Sequence, residues 1–437
     1  MDQRWNMVSK TKRLLRRSLI GLVLMTGCGI AEAQTVVIHA GTLIATPGSP
    51  AKTNQSIVID NGRITSIVDG FIPGDRIIDL SKRYVLPGLI DMHTHVVGME
   101  KIDETAPSQW VTNLSLQRQS ITALKAIPVV RQILLRGFTT IRNVGDPASV
   151  TYDLRDAIAS GKVEGPRMLV SEPQFTLPGG ALSNDVFHLT HDAVALVGNR
   201  GACSGVEDCR RAVREEVQRG ADVIKLRLAD TAALDPRIQT IESQDEVNAI
   251  VETAHQLGRT VAVHTSGVDR ETLLAVNAGA DTIEHGPQSD AVLLAMKRKG
   301  LSFTPTLDTY RYFAPILKRL GITRDYYGEA RASVGAAKRI GVRILYGTDL
   351  MPLYADRESL EFSALVDAGL TPSEVLMAAT INAAAALHME KEIGSIAPGK
   401  AADIIAVDQD PTRDIQAMEK VSFVMRAGKV VAPQLGD

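Results

Sequence analysis

Leu86-Pro87-Gly88-Leu89-Ile90-Asp91-Met92-His93-Thr94-His95 is the stretch on which the reading of the chain turns. An apolar run, Tyr84 to Ile90, leads into two histidines separated by one residue. In an extended strand alternate side chains share a face, so His93 and His95 project together from the end of a buried strand. Two converging imidazoles make a seat for a divalent transition metal. A pair of surface histidines would look the same in isolation, so the weight falls on what surrounds them.

Working outward, short apolar runs alternate with amphipathic stretches. The runs are Tyr84–Ile90, Phe138–Val144, Met168–Val170, Val223–Leu228, Thr260–His264, Asp281–His285, Leu301–Thr306 and Val342–Tyr346. Between them lie helical patterns such as Val206–Gln218, Asp245–Leu257 and Arg270–Ala278, with glycines such as Gly220 and Gly279 at their ends. Eight strand-helix units in about 300 residues predict an α/β protein built on one (β/α)8 TIM barrel, residues 87–392. A doubly wound open sheet is the alternative, but no glycine-rich dinucleotide fingerprint follows any strand. Two helical stretches, Glu358–Ala368 and Pro372–Leu387, follow the last barrel strand.

Both ends of the chain read as β structure. Thr35–Ala40, Gln55–Asp60 and Arg63–Val68 are strand patterns, the last two joined by the hairpin signal Asn61-Gly62. Ile404–Val407 and Val421–Val424 are strand patterns at the other end. Residues 34–86 and 393–437 are therefore expected to pair as one small split β-sandwich.

The chain has 437 residues, a net charge of -2 and 45% hydrophobic residues, enough for a large core and with no charge excess that calls for nucleic acid. Residues 1–33 read as a signal peptide. Lys10, Lys12, Arg13, Arg16 and Arg17 precede the apolar Leu19–Met25, and Ala31-Glu32-Ala33 offers a cleavage site. The protein is thus expected to be exported, periplasmic or secreted. Leu24-Met25-Thr26-Gly27-Cys28 supports a competing reading, an outer-membrane lipoprotein anchored through Cys28. No later run is long enough to span a bilayer. In an oxidising compartment the remaining pair, Cys203 and Cys209, is expected to form a disulfide.

Chemistry in such a barrel sits at the carboxyl ends of the strands. Strand 1 ends in His93 and His95, strand 5 in His264, strand 6 in His285 and strand 8 in Asp349. Four of the nine histidines stand at these ends. Strand 4 carries Lys225 inside the apolar run Ala221–Arg227. Four imidazoles, a carboxylate and a lysine suit a pair of divalent metals, zinc by its preference for nitrogen ligands. Burial favours the neutral amine of a lysine, which can add carbon dioxide to give an anionic carbamate. A structural lysine paired with a carboxylate is the plainer explanation.

The set His-x-His, Lys, His, His, Asp on strands 1, 4, 5, 6 and 8 resembles the amidohydrolase superfamily. Val85–His95 is similar to its entry motif and Gly137–Gly145 to its strand 2 signature. Ala379–Ala384 with Gly394–Asp403 is similar to its C-terminal signature. Gly220–Lys225 resembles the branch of Xaa-Pro dipeptidases, carboxypeptidase-like enzymes and ochratoxin-degrading amidases.

The resemblance implies that His93, His95 and Asp349 hold one metal, that His264 and His285 hold the other, and that carboxylated Lys225 bridges them. It implies a binuclear hydrolase in which a metal-bridging hydroxide attacks the amide or peptide bond before a C-terminal amino acid. Asp349 then serves as general base and acid. The implied substrates are Xaa-Pro or other dipeptides and N-acyl amino acids such as ochratoxin A. Arg227, Arg142, Tyr310, Tyr312 and His188 are candidates for substrate contact, Arg227 facing the same way as Lys225. Family members often place a histidine after a Gly-Gly beyond strand 3. Here Gly179-Gly180 precedes Ala181, and His188 and His191 come later. Val96 and Val97 suggest an apolar wall beside the first ligands. An imidazolonepropionase-like enzyme, or a hydrolase of cyclic amides or lactones, is the alternative within the fold. A barrel used only for binding is the alternative outside enzymology. A symmetric homo-oligomer would be unsurprising.

Overall fold

The chain enters as four strands, β1 (Val36–Leu43), β2 (Lys52–Asp60), β3 (Arg63–Asp69) and β4 (Arg76–Pro87). The computed structural model describes residues 35–98, 117–146, 150–177, 201–228, 242–319, 323–352 and 357–433. Asn61 (φ 48°) and Gly62 (φ 78°) both take left-handed backbone between β2 and β3, as a two-residue hairpin matched to strand twist requires. Strand β1 pairs antiparallel with β2 and parallel with β4.

The apolar run read from Tyr84 to Ile90 is shared between two layers. It ends β4 at Pro87 and reopens at Leu89 as the first barrel strand. Gly88 makes the passage possible, because a Cβ there would lie 2.1 Å from the Thr139 hydroxyl oxygen. Its N–H donates to the Asp403 carbonyl at 2.8 Å, tying the sheet to the barrel at this step.

The barrel strands are β5 (Leu89–Thr94), β6 (Phe138–Val144), β7 (Arg167–Ser171), β8 (Gln174–Phe175), β9 (Val223–Arg227), β10 (Thr260–His264), β11 (Thr282–Glu284), β12 (Ser302–Thr304) and β13 (Arg343–Ile344). All their pairings are parallel. Strands β7 and β8 are successive parts of the third barrel strand, β7 pairing with β6 and β8 with β9. The ring closes between strand 8 and strand 1. Met92 N–H donates to Tyr346 C=O (2.9 Å), Asp349 N–H to His93 C=O (2.8 Å) and His95 N–H to Leu350 C=O (2.7 Å). Closure thus sets Asp349 beside the His-x-His motif.

Helices cover the barrel with the stripes their sequences carry. Val206–Arg219 buries Cys209, Ala212, Val213 and Glu216, an i, i+3, i+4, i+7 set, and stops at Gly220 (φ 115°). Gln244–Gln256 opens on a reciprocal capping box between Ser243 and Glu246. The stretch Pro372–Leu387, which reads as one helix, is two: Pro372–Ala378 and Ile381–Ala386, broken at Thr380 (φ -138°, ψ -93°). The break has a use. The carbonyls of Ala378 and Ala379 accept the N–H groups of Tyr346 (3.2 Å) and Ile90 (2.8 Å) from barrel strands 8 and 1.

The chain then returns to the first sheet as β14 (Ile404–Val407), β15 (Val421–Arg426) and β16 (Lys429–Pro433). The sheet order is β16-β15-β14-β4-β1-β2-β3. Strand β4 serves both wings: Arg76–Leu80, Tyr84 and Val85 pair with β1 on one side, and Tyr84–Pro87 pairs with β14 on the other. Ile38, Ile57, Ile78, Ile404 and Phe423 from the two wings pack in one core. The expected sandwich is therefore one continuous sheet curled round its own core. No described helix is long and apolar enough to cross a membrane.

Candidate metal centre

Strand ends 1, 4, 5, 6 and 8 converge on one point. His93 Nε2 lies 3.3 Å from Lys225 Nζ and 3.5 Å from Asp349 Oδ1. His95 Nε2 lies 3.3 Å from the same Asp349 oxygen. The His285 ring centre is 4.3 Å from that of His93 and 4.6 Å from that of His264. Ligand atoms of His93, His285 and Asp349 lie within 4.8 Å of one another. All six residues predicted as ligands are thus brought together.

Each of three imidazoles is held by its other nitrogen. His93 Nδ1 meets Glu284 Oε2 at 2.8 Å, His95 Nδ1 meets Asp146 Oδ1 at 3.2 Å, and His285 Nδ1 meets the Thr306 hydroxyl at 2.7 Å. Such partners orient a ligating histidine and select its tautomer. They leave the three Nε2 atoms for the centre.

The electrostatics fit a cation. Burial, with Lys225 and the neighbouring histidines adding to it, holds His93 well below the ordinary imidazole range. Burial does the same to His285, with His93 and His264 beside it. Neutral imidazoles are the form that binds metal. Burial also opposes a proton on His95, but the Asp146 and Asp349 carboxyl groups overcome it and raise its pKa to about 9. The space between His95 and Asp349 therefore favours positive charge. Lys225, 1% exposed, is drawn down to about 7 by burial, against the pull of Glu284 and Asp349. Two imidazoles held neutral, beside a carboxylate and a spot that favours positive charge, suit a divalent metal.

The backbone here is unusual. His285 (φ 64°), Thr306 (φ 50°) and Asp349 (φ 52°), at the ends of strands 6, 7 and 8, all adopt left-handed backbone. Each such residue costs about 1–3 kcal/mol and persists only where its surroundings demand it.

Several contributors were not singled out from the sequence. Asp91, buried and pushed up to about 7 by that burial, accepts the N–H of His93 (3.0 Å), the N–H of Thr348 (3.1 Å) and the Thr348 hydroxyl (2.6 Å). It stitches the His-x-His strand to the strand of Asp349. Asp146 also holds the Val97 N–H (3.1 Å) and the Asn143 amide (2.9 Å). Glu284 and Thr306 complete the outer ring.

The candidate substrate contacts fare differently. Arg227 is half-buried on β9, in register with His264, and its guanidinium reaches Gln174 Oε1 at 3.4 Å. The Tyr310 hydroxyl accepts the Gly286 N–H at 2.7 Å, next to His285. Tyr312 packs against Phe313 and under Arg357. Arg142 needs correcting. It is 1% exposed, and its guanidinium donates to Met92 C=O (2.6 Å), the Thr282 hydroxyl (3.0 Å) and Glu284 (2.6 Å). A side chain so enclosed and so engaged does not meet a substrate carboxylate. Val96 and Val97, with Gly98, Ala126 and Pro352, line a cavity of about 260 Å³. Cys203 and Cys209 are joined in a disulfide. His188, His191, the Gly179-Gly180 loop and Cys28 lie outside the described residues.

A model of the amidohydrolase family matches residues 84–431. The ochratoxinase of Aspergillus niger is 28% identical over 442 residues, covering 91% of this chain and 87% of that protein. A solved amidohydrolase structure superposes with a TM-score of 0.77 at 31% identity, over 91% of this chain and 98% of the other. The structure of a Xaa-Pro dipeptidase with methionine bound in its active site gives a TM-score of 0.78 at 29% identity, over 91% and 99%. The family's pattern runs from β4 to β16, through every strand end that meets at His93, and the chain belongs to the amidohydrolase family as a hydrolase of carbon-nitrogen bonds.

Proposed function

We propose that the protein hydrolyses the amide or peptide bond before a C-terminal amino acid in a small substrate, a dipeptide or an N-acyl amino acid. The observation that carries this reading is Lys225. Its amine is buried and 3.3 Å from His93 Nε2, in the middle of the histidine cluster. A lysine drawn down to about 7 is largely neutral at mildly alkaline pH, and a neutral amine adds carbon dioxide with release of one proton. The carbamate so formed supplies the anion that four imidazoles and one carboxylate lack for a pair of dications. His93, His95 and Asp349 would hold one ion, His264 and His285 the other, with Lys225 between them, and zinc suits the nitrogen-rich set. When bound, such ions polarise a carbonyl and lower the pKa of a water.

The protein's own groups do the rest. Asp349, facing His93 and His95 at 3.5 and 3.3 Å, takes the proton of the attacking water and returns it to the leaving amine. Arg227, on the face that Lys225 shares, receives the substrate carboxylate beside Gln174. Tyr310, anchored by the Gly286 N–H next to His285, is a second side chain placed to contact the substrate. The name of the ochratoxinase relative and that of the Xaa-Pro dipeptidase support a substrate that ends in a free amino acid. The Cys203–Cys209 disulfide supports work outside the reducing cytosol, as an exported enzyme.

The test is a substrate panel with zinc-loaded protein: Xaa-Pro and other dipeptides, N-acyl amino acids including ochratoxin A, and a lactone. Lys225→Ala and Asp349→Asn proteins run beside it. Release of the C-terminal amino acid by wild type alone supports the proposal. Turnover of the lactone with every amide intact refutes it.

A further inference from the structure

We infer that Arg142 is a positioning residue that fixes which nitrogen of His93 is offered to the metal. The inference rests on the reading of His93 as a ligand. The geometry is a chain of donors and acceptors through the barrel interior. Arg142 Nη2 donates to Glu284 Oε1 at 2.6 Å, and Glu284 Oε2 meets His93 Nδ1 at 2.8 Å. All three side chains are 0–1% exposed.

An arginine has donors and no acceptor. Glu284 Oε1 therefore accepts, and it accepts again from the Thr282 hydroxyl. With that oxygen filled, the carboxyl group is oriented and Oε2 is turned to His93. The Nδ1 of His93 is then the donor, and the lone pair stands on Nε2, which faces Lys225 and Asp349. The other tautomer would put a hydrogen where the metal must bind. Arg142 Nε also holds the carbonyl of Met92, the residue before His93, at 2.6 Å. One guanidinium therefore sets both the backbone and the ring of the ligand. Thr282 joins the set by accepting from Arg142 Nη1 at 3.0 Å.

A buried Arg–Glu pair could instead serve only to hold β6 against β11. The two roles separate by experiment. Arg142→Gln and Thr282→Val proteins are stripped of metal and titrated with zinc against a chromophoric chelator, and with cobalt while the visible spectrum is recorded. Thermal unfolding of the metal-free proteins is measured in parallel. The expected result for Arg142→Gln is one site weakened about 10- to 100-fold, with the other unchanged and an altered cobalt spectrum. Thr282→Val, which removes one hydroxyl, is expected to weaken the same site by less, and it keeps the test open if Arg142→Gln does not fold. Lower unfolding temperature with both zinc affinities and the cobalt spectrum unchanged overturns the inference. If wild type binds no zinc, the ligand reading itself has failed, an outcome distinct from the failure of Arg142.

Discussion

Replacing Lys225 by methionine tests the electrostatics at the heart of the site. Burial draws the amine down to about 7 from its ordinary 10.5. That difference corresponds to about 5 kcal/mol by which the folded protein disfavours the charged lysine. The unfolded chain keeps its proton up to the ordinary value, so the lysine weakens folding most at low pH. Stability recovers as pH rises through 7 toward 10.5. Between pH 6 and pH 9 the recovery is about 3 kcal/mol, since about 2 kcal/mol of the penalty is left at pH 9. Methionine has similar length and no charge to bury. In chelator-treated protein, Lys225→Met is expected to unfold at a higher temperature than wild type at pH 6. For a chain of 437 residues, about 3 kcal/mol is about 3–4 °C, and the lead is expected to shrink by that much at pH 9. Melting curves by circular dichroism across this range are the assay. A gap that does not change with pH would refute the claim that the Lys225 amine is stripped of its proton by burial, and with it the route to a carbamate.

Three further expectations follow from contacts already described. Asp91→Ala removes the acceptor of three hydrogen bonds joining the His93 and Asp349 segments, so metal retention on dialysis and stability are both expected to fall, the latter by about 2–4 kcal/mol in chemical unfolding. Cys203→Ser opens a disulfide that closes a short loop at the start of the helix Val206–Arg219, and is expected to cost about 2–3 kcal/mol with kcat little changed. Arg227→Gln is expected to raise KM for substrates with a free carboxylate by 10-fold or more, from roughly 1.5–3 kcal/mol of charge-assisted bonding, and to leave the KM of the corresponding amides unchanged.

Much of the site was legible because a barrel converts strand ends into neighbours. His93, His95, Lys225, His264, His285 and Asp349 are spread over more than 250 residues of sequence, yet each lies in a parallel strand or within a few residues after one. What could not be read was the outer ring. Alternation along a strand sends Glu284 away from His285, but the left-handed φ of 64° at His285 breaks the alternation and lets both serve the centre. Asp91 looks like part of the entry motif until closure brings Thr348 onto it. Arg142 was misread for the opposite reason. A cation at a strand end suggests a substrate anion, and only the packed interior shows that Met92, Thr282 and Glu284 already take up its donors. In the fold, the helical pattern Pro372–Leu387 hid its break at Thr380, because the acceptors it releases are used by strands far away in sequence.

The most direct test of the account is amino-acid release from an N-acyl amino acid before chelation, after chelation and after stepwise return of zinc with bicarbonate. The account predicts loss of activity on chelation and recovery that levels off at two ions per chain, with no recovery in Lys225→Ala. Hydrolysis that survives complete chelation, or two bound ions with no amide cleaved, would contradict it.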